Sequence, residues 1–108
     1  MTAIYMEDRD VTLIIEGAKA ITGIPSPAFI YKGSQTDEAF WTDVKESLRP
    51  FEKTRQNEIE FPREKWEKIA KGLVLLVQAL GWEIMQVTGF SNAQFAALTD
   101  RINRDLAR

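Results

Sequence analysis

Neither cysteine nor histidine occurs anywhere in this 108-residue chain. Without cysteine there are no disulfides and no thiolate metal sites, and cysteine usage carries no sign of a redox compartment. Without histidine the chain lacks the usual general base near neutral pH and the commonest ligand of transition metals. Hydrolytic triads, Cys–His pairs and ordinary zinc sites are therefore excluded. Phosphate loops, dinucleotide fingerprints, nucleophile elbows and Ca²⁺ loops are missing as well. The segment from Gly17 to Gly33 has prolines where backbone donors would have to converge. Nothing in the sequence implies a cofactor or a metal.

Long hydrophobic runs are also lacking. The longest strongly apolar run without a charge is Gly72 to Trp82, well short of the roughly 20 residues that span a bilayer. No signal peptide is expected at the beginning, because Met6-Glu-Asp-Arg-Asp10 is acidic where a basic segment is required. The expectation is a soluble, cytoplasmic protein without a membrane partner. A net charge of −2 and a pI near 5.2 weigh against a protein that wraps nucleic acid.

What is present fits a single globular domain over residues 1–108. Hydrophobic residues at 44% and charged residues at 28% lie near the averages for soluble domains and far from a disordered composition. The most informative stretch is Pro62 to Thr88. At 100° per residue, Trp66, Ile69, Ala70, Leu73, Leu76, Val77, Leu80, Ile84 and Val87 collect into one broad stripe. Almost opposite lies a narrower stripe of Leu75, Ala79 and Trp82. A helix apolar on two sides is either enclosed by its own fold or holds a partner.

Three further helices are predicted. Val11, Ile14, Ile15, Ala18 and Ile21 recur at helical spacing over about Glu7 to Thr22, with acids in the first turn and Gly23 as a stop able to adopt positive φ. A strand over Val11–Ile15 is the competing reading. Gly23 to Gln35 reads as a loop, with Phe29-Ile-Tyr31 as a short extended piece. Thr36 caps a second helix whose inner face is Phe40, Val44 and Leu48, and which Pro50 ends. Phe51 to Glu60 shows no helical pattern. The last helix opens on the capping box of Ser91 and Gln94, with Phe90 and Phe95 at the staple positions and Leu98, Ile102 and Leu106 facing inward.

The predicted fold is all-α: a compact bundle of about four helices, with a long central third helix over about 62–88 and a C-terminal helix over about 92–107. The turn at Gly89 resembles that of a helix-turn-helix motif, whose second helix would here offer Asn92, Gln94, Arg101 and Arg104 to DNA. Met85, where that motif favours a small residue, and the absence of positive charge from the first turn of the second helix argue for a plain hairpin instead. Glu83 stands alone without a charged neighbour, and Glu64 and Glu67 alternate with lysines as a solvated face. No catalytic set emerges. The expected function is that of a small non-enzymatic binding protein (an adaptor, inhibitor or assembly factor). It would act through Leu75, Ala79 and Trp82 on a protein partner or on a second copy of itself as a homo-oligomer. The alternative is a DNA-binding regulator.

Overall fold

Residues 2–7 and 56–61 alternate inward apolar and outward polar side chains, and the two segments pair. The computed structural model, which describes all 108 residues, forms an antiparallel ribbon from β1 (Thr2–Glu7) and β2 (Gln56–Phe61). Its register sets Ile4 opposite Ile59 and Thr2 opposite Phe61. Ile4, Met6, Ile59 and Phe61 turn into the core, while Tyr5, Glu58 and Glu60 face out. The remainder is helical: α1 (Asp8–Gly23), α2 (Ala28–Ser34), α3 (Glu38–Leu48), α4 (Arg63–Leu80), α5 (Ile84–Thr88) and α6 (Asn92–Leu106), with 3₁₀ turns at Arg49–Phe51 and Gly81–Glu83.

The fold is thus predominantly helical, at 72%, but not all-α, and its helices outnumber the four expected. Val11–Ile15 lies inside α1, so the competing strand is not there. The strands fall instead at the chain's beginning and in the charged stretch before Pro62.

Local chemistry explains the other differences. Gly23 is the last residue of α1, and the chain leaves through Ile24 in extended conformation (φ −75, ψ 150) rather than through a left-handed glycine. Pro25 and Pro27 do not keep the next segment irregular. Pro27 stands at the N-cap of α2, where its missing N–H costs nothing, and its carbonyl accepts from the N–H groups of Ile30 and Tyr31, both at 3.0 Å. Phe29 and Tyr31 are therefore helical. Asp37, not Thr36, caps α3 by accepting from the Phe40 N–H at 2.8 Å. Thr36 serves the core instead, its Oγ1 accepting from the Trp41 indole Nε1 at 2.9 Å.

The long third helix is real but interrupted. Gly81 takes φ +57 with ψ −127, a region open only to glycine without strain, and the helix ends there. A 3₁₀ turn and the short α5 carry the chain to Gly89 (φ +82). Residues Arg63–Thr88 are by length and composition apolar enough to cross a membrane. In the fold α4 is the central core helix, with Trp66, Ile69, Ala70, Leu73 and Leu76 buried on one side. Its other side is covered in part: Leu75 lies beneath α2, where Gly33 has no side chain to displace it. Gly72 does the same for the Trp41 ring. Phe40 and Leu80, expected in the core, are only partly buried.

The C-terminal helix follows expectation closely. Ser91 Oγ accepts from the Gln94 N–H at 3.2 Å, and Gln94 Oε1 accepts from the Ser91 N–H at 2.8 Å. Phe90 and Phe95 meet edge to face at 6.4 Å.

Candidate functional site

The narrow stripe of α4 divides. Leu75 belongs to the core. Ala79 is exposed, and Trp82 is 75% exposed on the turn after Gly81. Helical periodicity would have carried Trp82 along the flank of α4. The glycine kink instead begins a new turn there, and α5 follows with Ile84 and Thr88 inward and Met85 and Val87 outward. Thr88 secures that short helix by donating to the Ile84 carbonyl at 2.6 Å and accepting from the Phe90 N–H at 3.2 Å. Met85 is 52% and Val87 48% exposed. Within six residues the chain thus presents three large apolar side chains to solvent. The indole N–H of Trp82 has no intramolecular acceptor, unlike those of Trp41 and Trp66. Met85 and Val87 were not foreseen as part of this surface, because a continuous helix would have turned Val87 inward with Ile84.

The four residues proposed for reading DNA separate by task. Gln94 is held in the capping box, and Arg101 forms an ion pair with Asp10 at 2.7 Å. Asn92 and Arg104 are exposed. Gln94, Arg101 and Arg104 share one face of α6 and line a concavity closed on its other side by Arg9 and Asp10 from the first turn of α1; Asn92 is not part of it. Arg9 is the residue the sequence reading missed. Its place beside α6 depends on tertiary packing between segments some ninety positions apart, and no local pattern signals it.

Comparison with known proteins returns no match among family models, curated proteins or solved structures.

The carboxylates singled out by the sequence stand on exposed faces of the fold. Glu83 is exposed, as are Glu58 and Glu60 on the outer face of β2. Glu64 pairs with Lys68 at 3.1 Å, and Glu67 pairs with Arg63 at 3.5 Å. No group of three or more acidic side chains is placed to hold a metal ion. The one clearly displaced ionisation is that of Tyr31, pushed up by burial and then by the nearby charges of Glu38 and Asp37. Tyr31 therefore stays protonated at neutral pH.

Proposed function

We propose that this is a non-enzymatic binding protein that captures a protein partner through the surface centred on Trp82, with Met85, Val87 and Ala79 beside it. The observation that carries this reading is the 75% exposure of Trp82 in a chain that buries its other two tryptophans completely. Tryptophan is the residue type most enriched among binding hot spots, and an exposed apolar cluster marks a contact surface. Leu75, buried beneath α2, is not part of that surface. The DNA-reading alternative has less in its favour, since Gln94 and Arg101 already have intramolecular partners.

Trp82→Glu tests the proposal. The side chain stands in solvent, so the variant should melt as the wild type does. Placing an unpaired charge in a desolvated contact should weaken capture by at least about 2 kcal/mol, roughly 30-fold. Thermal melting is paired with size-exclusion chromatography over a concentration series and with nuclease-treated pull-down from source lysate. The chromatography separates a second copy of this chain from a different partner. A folded variant that associates as well as the wild type would refute the reading.

A further inference from the structure

Arg9, Arg101 and Arg104 surround a concavity of 310 Å³ between the first turn of α1 and one face of α6. Arg101 and Arg104 are three residues apart, hence on the same side of the helix, and Arg9 stands across from them. Only one carboxylate, Asp10, lines the space. It is already engaged twice: its Oδ2 accepts from Arg101 Nη2 at 2.7 Å and from the Glu7 N–H at 3.0 Å. Arg9 and Arg104 form no ion pair. Arg101 Nε is the single buried side-chain polar atom in the protein without a hydrogen-bond partner. Three guanidinium groups therefore share one carboxylate, in a chain whose net charge is −2. The floor is apolar, formed by the buried Leu98 and the half-buried Phe90.

We propose that this concavity binds a small organic anion, a carboxylate or phosphate group carried on an apolar body about the size of one ring. Guanidinium groups match both head groups in planar, two-pronged geometry, and facing cations without an anion between them repel. The Asp10 contact fixes Arg101 in place before any ligand arrives, which lowers the ordering cost of binding. Arg9 and Arg104, with no internal partner, are free to close on the head group, while Leu98 and Phe90 take the body. The volume falls at the small end of the range for ligand sites, which limits the occupant to that size. This site is separate from the Trp82 surface and does not depend on it.

The experiment is a ¹H–¹⁵N titration at fixed ionic strength, read at the arginine Nε–Hε groups and the Leu98 amide. Three probes are used: benzoate, phenyl phosphate and the neutral benzamide. Saturable shifts with at least one anion and none with benzamide are expected, with a Kd on the order of 1 mM. The tighter of the two anions identifies the head group. Arg9→Gln combined with Arg104→Gln should weaken binding about tenfold or more while leaving the melting temperature unchanged, since both side chains are exposed and unpaired; Arg104→Gln alone provides the same reading should the pair lower it. Trp82→Glu should bind the anion as the wild type does. The proposal is overturned if neither anion saturates, if benzamide shifts the same signals equally, or if the arginine variants keep full affinity.

Discussion

Replacing Gly72 by alanine adds one methyl group at the most crowded point of the fold. An ideal Cβ there would stand 2.2 Å from Cζ2 and 2.6 Å from Cη2 of Trp41. Trp41 is completely buried, its indole N–H is committed to Thr36, and its ring meets Phe40 edge to face at 5.1 Å. The methyl group cannot be accommodated without moving the ring by more than 1 Å, roughly the shortfall from ordinary van der Waals contact. Overpacking of this kind costs about 1–3 kcal/mol, and weakening the indole hydrogen bond adds about 1 kcal/mol. Against this, alanine is favoured over glycine in a helix by about 1 kcal/mol. The net expectation is a loss of about 1–3 kcal/mol, a melting temperature lower by roughly 5–20 °C for a domain of this size. Urea denaturation followed by tryptophan fluorescence and far-ultraviolet circular dichroism measures it. Gly23→Ala is the control, because open space surrounds that position and its φ is not positive; it should be neutral or slightly stabilising. A Gly72→Ala protein as stable as the wild type would refute the close contact between α3 and α4.

Leu76→Ala should cost about 2–5 kcal/mol because Leu76 is wholly buried, while Leu80→Ala, at the partly exposed end of α4, should cost distinctly less; equal losses in paired urea titrations would argue against the break at Gly81. Tyr31 adds a pH dependence. Its folded-state pKa lies above the ordinary 10.0 because of burial first and of Glu38 and Asp37 next, so the folded protein holds the proton more tightly than the unfolded chain. That contribution to stability is complete below about pH 10 and declines as pH rises through the raised value. Tyr31→Phe should flatten the alkaline fall in the denaturation midpoint, and parallel falls in both proteins would dismiss the effect.

Helical spacing was legible wherever an element's signal was local, and caps only in part, since Asp37 rather than Thr36 caps α3 and Gly23 does not end α1 in a left-handed turn. The capping box at Ser91, the acidic first turn of α1 and the inward stripe of α4 all follow from side chains a few positions apart. The ribbon was not read, though its alternation is there in Asn57, Ile59 and Phe61 against Glu58 and Glu60. Those charges look like a solvated coil until a second strand supplies the other half of the face, and that strand is more than fifty residues away. α2 was hidden by Pro27, which can end a helix or begin one depending on where the preceding helix stops. The Trp82 surface was half legible: the sequence placed a tryptophan on a second stripe, but not the change of direction at Gly81 that joins it to Met85 and Val87. The arginine-lined concavity was legible only on its α6 side.

The β1–β2 ribbon also has a topological consequence. Pairing Glu7 with Gln56 closes a loop that contains α1, α2 and α3 entire. Closing a loop of roughly 50 residues costs about 3–4 kcal/mol of chain entropy beyond a constant, more than an isolated two-stranded hairpin can supply. The ribbon therefore persists only because Ile4, Met6, Ile59 and Phe61 are embedded in the helical core, and the Trp66 indole donating to the Thr2 carbonyl at 2.9 Å adds a strut from the far side of that loop. Fraying at Thr2, paired with Phe61 at the outer end of the ribbon, leaves that loop closed at its Glu7–Gln56 end. Only release of the whole of β1 unfastens the ring that encloses α1, α2 and α3, and that takes Ile4 and Met6 out of the core, so ribbon and core melt together.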